Sequence, residues 1–130
     1  MIKFRAWDKE EKKMHKVKTI EFSRRGARII HLAEVNSNGK GDHKRWHSSV
    51  ELMQSTGLKD KNGVEIYEGD IVRYNRGVSC SVEKFPYVVK NSAEGFVFEY
   101  GLIQHSLFKK IEYVTVIGNI YENPELLEGD

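Results

Sequence analysis

The sequence has little cysteine, little proline and no long apolar run. Cys80 is the one cysteine among 130 residues, which excludes a disulfide framework and a metal site built of several thiolates. Pro86 and Pro124 are the two prolines, so a long proline-rich linker is excluded as well. No apolar run approaches the roughly 20 residues of a membrane-spanning helix, and the first residues lack the apolar stretch of a secretion signal. These absences predict a soluble protein of a reducing cytoplasm, with no membrane partner.

Charge is distributed unevenly along the chain, although the net charge is only +2. Residues 1–50 hold 13 Lys and Arg against 6 Asp and Glu, whereas residues 51–130 hold 8 against 13. The first segment therefore carries +7 and the second −5. Either the two segments complement each other, within a monomer or between subunits, or the basic segment meets a polyanion. Lysines interspersed with acids over residues 9–13 favour the first interpretation.

Short β-strand candidates separated by turns occupy most of the chain. Ile2, Phe4 and Ala6 alternate with their neighbours in the pattern of a half-buried strand. Tight turns are predicted at residues 60–63 and 69–70, because glycine tolerates positive φ and aspartate can bond its own backbone. Further strands are predicted over residues 14–22, 27–35, 46–54, 71–74, 78–90, 96–98 and 111–121.

The number and spacing of these strands favour a mainly-β roll or barrel. Residues 64–121 are predicted to form a small, strongly bent antiparallel barrel. Residues 102–108 stay open between a strand and a short helix, and Asn123 before Pro124 predicts a capped helical turn. The predicted barrel core consists of Ile66, Ile71, Val72, Val116, Ile117 and Ile120.

Four segments carry a resemblance to a known family: KFRAWD at residues 3–8, LMQSTGLKDKNG at 52–63, IYEGDIV at 66–72 and VIGNIYENPEL at 116–126. Together they resemble the YopX family, which consists of small proteins of phages and prophages of low-GC bacteria. The resemblance implies a β-rich amino-terminal part, residues 1–57, followed by an SH3-type β-barrel with a short helical turn, residues 58–130. It implies no activity, because the family has no established biochemical role.

Residues with catalytic or metal-binding chemistry are sparse. Asp42, His43 and His47 form a metal-like cluster, but their histidines would share a face only on a helix, and the surrounding composition is that of a loop. Cys80 and His105 are a possible nucleophile and base, without an orienting third group. We therefore predict no catalytic residue, no metal and no cofactor, and a protein that is not an enzyme.

A basic and aromatic set is the strongest candidate site. Its cations could contact phosphates while its indole stacks on bases of a single strand. The alternative is a solvated loop with the tryptophan turned into the core. The set consists of Arg24, Arg25, Arg28, Lys44, Arg45 and Trp46.

Two function hypotheses follow from these observations. The favoured one is a non-catalytic protein-interaction or assembly module that self-associates or binds a phage or host protein. The alternative is an accessory protein whose first 50 residues bind nucleic acid weakly and without sequence preference.

Overall fold

The computed structural model describes residues 3–24, 26, 28–33, 44–75 and 85–128. Several residues singled out above lie outside this part of the chain: Ile2, Arg25, Asp42, His43 and Cys80.

The described residues are mainly β-strand, which confirms the predicted fold class. The strands are β1 (Phe4–Asp8), β2 (Lys13–Phe22), β3 (Arg28–Leu32), β4 (Lys44–Trp46), β5 (Val50–Lys59), β6 (Glu65–Tyr67), β7 (Asp70–Tyr74), β8 (Tyr87–Ser92), β9 (Gly95–Tyr100), β10 (Ile103–Ser106) and β11 (Val114–Asn119). A short helix, α1, spans Leu107–Lys110, and 3-10 turns span His47–Ser49, Ile111–Tyr113 and Pro124–Leu127.

The chain divides into two compact units, Met1–Gln54 and Ser55–Asp130, here called unit 1 and unit 2. The division falls within β5, and the boundary predicted after Gly57 lies in the same strand. Each unit has its own hydrophobic core.

Unit 1 is built on antiparallel strands in the order β4-β3-β2-β1-β5. Alternation along β3 turns Ile30 and Leu32 inward, so that Ile29 and His31 face the other way. Ala6, at the centre of β1, lies opposite His15 of β2 and Leu52 of β5. The buried core of this unit consists of Ala6, Ile30, Leu32 and Val50, with Val17, Ile20 and Leu52 packed against it.

Unit 2 contains a five-stranded antiparallel sheet in the order β10-β9-β8-β7-β11. Its core is rich in aromatic rings that meet edge to face, with 6.1 Å between the centroids of Tyr74 and Tyr87 and 5.2 Å between Tyr87 and Phe98. The buried residues of this core are Ile66, Val72, Tyr74, Tyr87, Val89, Phe98, Leu107 and Val114.

The sheet of unit 2 is open, so the expected closed barrel is not formed by the described residues. Its edges are β10 and β11, and no ladder joins them within the described chain. The hydroxyl of Ser106 accepts a hydrogen bond from the Lys109 backbone N–H at 3.4 Å, which starts α1 where β10 ends. This helix and the 3-10 turn after it separate β10 from β11, so residues 102–108 are strand first and helix second.

The predicted core residues divide according to strand position. Ile66, Ile71 and Val72 are fully buried. Val116, Ile117 and Ile120 are only half-buried, and Val116 packs against the core. Val116 and Ile117 lie in β11, which is an edge strand, and Ile120 follows the end of that strand. The 3-10 turn at Ile111–Tyr113 makes β11 shorter than the strand predicted over residues 111–121.

Candidate interaction surface

The buried polar side chains of unit 2 hold turns in place. The carboxylate of Asp60 accepts hydrogen bonds from the backbone N–H groups of Asn62 at 2.8 Å and Val64 at 2.9 Å. Its other oxygen accepts the N–H of Val116 at 2.9 Å, so one side chain closes the turn and attaches it to β11. Gly63 in this turn has φ +84°, as the predicted tight turn requires.

The same arrangement recurs at two further turns. Asp70 accepts the N–H of Tyr67 at 2.8 Å. The side-chain oxygen of Asn119 accepts the N–H groups of Tyr121 at 3.0 Å and Glu122 at 2.8 Å. Asp60, Asp70 and Asn119 all lie in segments that carry the family resemblance, and each of these side chains stabilises a turn.

Among the described residues of unit 1, Asp8 is the buried carboxylate, and it holds an ion-pair cluster together. Arg45 donates its Nε–H to one Asp8 oxygen at 2.9 Å and a terminal N–H to Glu11 at 2.7 Å. The other Asp8 oxygen accepts the backbone N–H groups of Glu10 at 3.0 Å and Glu11 at 3.2 Å.

Hydrogen bonding sets the protonation of this pair. Burial alone would raise the pKa of Asp8, but the hydrogen bonds from Arg45 and from the two backbone N–H groups outweigh it, so the pKa is lowered. Burial would lower the pKa of Arg45, and its bonds to Asp8 and Glu11 raise it instead. Both groups therefore stay charged at neutral pH.

A group of possible metal ligands coincides with this cluster. Within the described residues, Asp8, Glu11 and His15 place ligand atoms within 4.8 Å of one another. Both carboxylates already bind the guanidinium of Arg45, which supplies a compensating positive charge. The carboxylates are thus paired in an ion-pair cluster, whereas the buried Nε2 of His15 has no hydrogen-bond partner among the described residues. Of the metal-like set Asp42, His43 and His47, the described member His47 lies with Nδ1 3.2 Å from the Arg28 backbone nitrogen and accepts its N–H.

An exposed aromatic surface lies beside this cluster, on the edge strand β4. Trp46 is 58% exposed, so the interpretation that turned it into the core is wrong. It lies opposite Ile29 of β3, which lies opposite Glu21 of β2. Phe22, the last residue of β2, is 70% exposed. We call Phe22, Ile29 and Trp46 the Trp46 patch.

Two clefts flank the Trp46 patch. The larger, about 430 Å³, is lined by Glu10, Ile29, Lys44, Arg45, Trp46 and Ser49. The smaller, about 200 Å³, is lined by Glu21, Phe22, Ser23, Ile29 and Trp46. Ile29 and Trp46 line both clefts, so the indole stands between them. Charges of both signs line the larger cleft, and a carboxylate lines the smaller one.

The predicted basic site is only partly assembled. Lys44, Arg45 and Trp46 line one cleft, but Arg45 is committed to the two carboxylates. Arg28 is half-buried opposite Phe22, and Arg24 is exposed just beyond the end of β2. Sequence reasoning missed the role of Arg45, since Asp8 and Glu11 lie more than thirty residues away. In the sequence, only the carboxylates among residues 8–13 indicated a possible partner for Arg45.

A second apolar surface lies on unit 2, around β10. Leu102 is fully exposed in the turn before the strand, and Phe108 in α1 is 73% exposed. Tyr100 and Ile103 are exposed as well. Between these residues, the His105 ring packs among core aromatics, with 4.7 Å between its centroid and that of Tyr74.

In the part of the chain that the structure describes, no helix has the length and apolar character needed to cross a membrane.

Comparison with known proteins assigns the family. No curated protein matches the chain. A similar solved structure is the crystal structure of protein EF1440 from Enterococcus faecalis, with a TM-score of 0.65 and 33% identity over 98% of each chain. The sequence model of the YopX family, described as YopX protein, matches residues 3–128. Because this match spans nearly the whole chain, the protein belongs to the YopX family.

Proposed function

We propose that this protein is a non-catalytic protein-interaction or assembly module, encoded by a phage or prophage and acting in the cytoplasm of the host bacterium. The observation that carries the proposal is the Trp46 patch. The phage origin rests on the family, and the cytoplasmic location rests on the sequence, which has a single cysteine.

Leaving the Trp46 patch in water has a free-energy cost that a partner could remove. Phe22 and Trp46 are both more than half exposed, and both line the smaller cleft together with Ile29. Covering a half-exposed indole is favourable by on the order of 2 kcal/mol or more. Aromatic anchors beside clefts are the residues that contribute most to protein interfaces.

The surroundings of the patch suit a protein segment as the partner. Glu10 and Lys44 line the larger cleft and Glu21 the smaller, so polar groups of either sign could be paired at the rim. We therefore expect the partner to present an apolar anchor residue next to polar groups.

Selection of peptides from a random library tests this proposal. The selected peptides should contain a large apolar residue, and Trp46→Ala should weaken their binding by about tenfold or more. Leu102→Ala is the matched control, since it also truncates an exposed apolar residue but lies in unit 2. Peptides that bind the Trp46→Ala and wild-type proteins equally would remove the patch from the proposal.

A second candidate function is weak binding of single-stranded nucleic acid. The exposure of Trp46 beside Lys44 favours it, because an accessible indole can stack on a base. This function ranks second because Glu10 and Glu21 line the clefts with carboxylates, which repel phosphate, and because Arg45 is already paired with Asp8.

Salt-titrated binding of single-stranded oligonucleotides tests this second candidate. Phosphate contacts release counterions, so any affinity should fall steeply as salt rises. The double variant Arg24→Glu, Lys44→Glu should abolish binding while sparing the fold, since both residues are exposed. Arg45→Glu is unsuitable, because it would place a third carboxylate against Asp8 and Glu11. No binding at low salt would exclude this function.

A further inference from the structure

We infer that unit 1 binds one divalent transition-metal ion of the zinc class, held by Asp8, Glu11 and the Nε2 atom of His15. We call these three residues the hairpin site, because they lie on the hairpin of β1 and β2. This site goes beyond the proposed function, since the ion would bind whether or not a partner covers the Trp46 patch.

The hairpin brings the three residues of the site together. Asp8 is the last residue of β1, Glu11 lies in the turn, and His15 is the third residue of β2. Ala6 lies opposite His15, and Asp8 is two residues beyond Ala6, so Asp8 and His15 share one face of the hairpin. The left-handed conformation of Lys12, with φ +56°, reverses the chain after Glu11. The sequence predicted no metal here, because only this reversal brings the ligand atoms within 4.8 Å of one another.

The Nε2 atom of His15 is the observation that points to a ligand. This atom is buried and has no hydrogen-bond partner among the described residues. Buried polar side-chain atoms nearly always have one, because burial removes their hydrogen bonds to water. The neutral imidazole nitrogen is also the commonest metal ligand in proteins. Coordination of an ion would therefore satisfy an atom that the described structure leaves unsatisfied.

The ion pair with Arg45 leaves an acceptor position on each carboxylate. An ionised carboxylate offers about four such positions. Asp8 uses three of them within the described structure, two for backbone N–H groups and one for Arg45. Glu11 binds Arg45 through one oxygen, and no described residue donates a hydrogen bond to the other. An ion could therefore bind both carboxylates while Arg45 stays in place, and its removal would leave the ion pair described above.

Charge and donor type favour a transition-metal ion. Two carboxylates against one guanidinium leave the cluster with net negative charge. Zinc and its neighbours bind imidazole nitrogen together with carboxylate oxygen, whereas magnesium and calcium prefer oxygen alone. Ligand atoms of a tetrahedral zinc ion lie about 3.3 Å apart, so the three donors need to approach by about 1.5 Å at most. The exposed side chain of Glu11 can make that movement and gives the ion a path of entry.

Zinc titration of the untagged full chain by calorimetry tests the site, after a chelator has removed any bound metal. Wild-type protein should bind one zinc ion with a dissociation constant below about 100 µM. Glu11→Gln and His15→Phe should each raise that constant by about tenfold or more, because losing a direct ligand costs at least as much as an outer-shell change. His15→Phe removes the buried nitrogen and keeps a ring, so the metal-free variant should remain folded.

Two matched variants control for charge and for histidine content. Glu10→Gln removes an exposed carboxylate from the same turn, and His31→Gln removes the histidine that pairs with Glu21. Both variants should bind zinc as wild-type protein does. Magnesium at about tenfold excess over zinc should leave the wild-type titration unchanged, because the site includes a nitrogen ligand.

Nitrogen NMR of the five histidine rings identifies the coordinating atom directly. Zinc should shift the Nε2 signal of His15, which is the signal missing from the His15→Phe protein. A weaker wild-type affinity than expected, or equal affinities of wild type and the two ligand variants, would overturn the inference. Displacement of zinc by magnesium, loss of binding in either control variant, or a ring shift confined to other histidines would overturn it as well.

Discussion

Among individual residues, Asp8 connects β1, the turn after it and β4 through its bonds to Glu10, Glu11 and Arg45. We expect Asp8→Asn to lower the free energy of unfolding at neutral pH by about 1–3 kcal/mol, because the charge-assisted bond to Arg45 is lost. Urea unfolding of both proteins measures this difference. Glu11→Gln is the control, since its carboxylate is exposed and its bond to Arg45 should stabilise less.

The pH dependence of this difference follows from the lowered pKa. The pKa of Asp8 in the folded protein lies below its ordinary value of 3.8, so folding favours the ionised form. The stabilisation is therefore complete above pH 3.8 and is lost as pH falls through the lower folded value. Wild-type protein should lose more stability than Asp8→Asn on acidification. Parallel pH profiles of the two proteins would contradict this account.

Arg45 shows where sequence reasoning stops for single residues. Its neighbours Lys44 and Trp46 made it part of a predicted basic site, and the structure does place all three along one cleft. The residue types alone could not show that Arg45 is neutralised by Asp8, because that contact depends on the position of β4 relative to the turn after β1. Exposure of Trp46 was undecided for the same reason.

At the level of elements, the turns were the most predictable part of the fold. Gly63 and Gly69 both have φ +84° at the predicted reversals, because local residue chemistry determines a tight turn. The segment before β11 was less predictable. Leu107 is buried and Phe108 exposed, and the 3-10 turn at Ile111–Tyr113 shortens the predicted strand. The hydrophobic pattern of residues 102–108 fits both a strand and a helix, so tertiary packing determines which of the two forms.

The end of β11 gives a prediction at this scale. A Cβ atom on Gly118 would lie 2.6 Å from the side-chain oxygen of Asn123, which accepts the Asn119 N–H at 3.1 Å. We expect Gly118→Ala to displace that side chain and lower the free energy of unfolding by about 1–3 kcal/mol. Chemical denaturation measures the loss, and because Gly118 does not have the positive φ that would strain an alanine, the loss reports crowding by Asn123.

A double-mutant cycle separates the crowding from other effects. If Gly118→Ala acts through Asn123, then the same change in an Asn123→Ala background should cost far less, because the clashing side chain and its bond are already gone. Additive losses in the cycle would show that the close approach of Asn123 is not the reason for glycine at position 118.

At the scale of the whole molecule, the family and the mainly-β class could be predicted from the sequence, whereas the open sheet could not. The family could be recognised from short continuous segments such as residues 60–63 and 66–72, some of whose residues stabilise turns. Closure of a barrel depends on whether two distant edge strands meet, and the pattern of the separate strands does not encode it. The function could not be predicted from the sequence for a related reason. The buried polar residues that the sequence reveals stabilise backbone turns, and the exposed candidate surfaces are apolar, so neither set indicates a particular reaction or ligand.

The two units should unfold separately, and the chain carries its own reporters for this. Both tryptophans, Trp7 and Trp46, lie in unit 1, and all six tyrosines lie in unit 2. Among the described residues, the core of unit 1 is small and includes Ala6, whereas that of unit 2 contains several buried aromatic rings. Less apolar burial means less stabilisation, so unit 1 should unfold at lower denaturant concentration.

Urea titration followed by tryptophan emission and by tyrosine near-ultraviolet circular dichroism measures the two transitions. The tryptophan transition should come first. Trp46→Phe is the control, because emission then arises from the half-buried Trp7 alone and cannot reflect local exposure at the Trp46 patch. Coincident transitions in both proteins would show that β5, which runs through the division, couples the units into one cooperative fold.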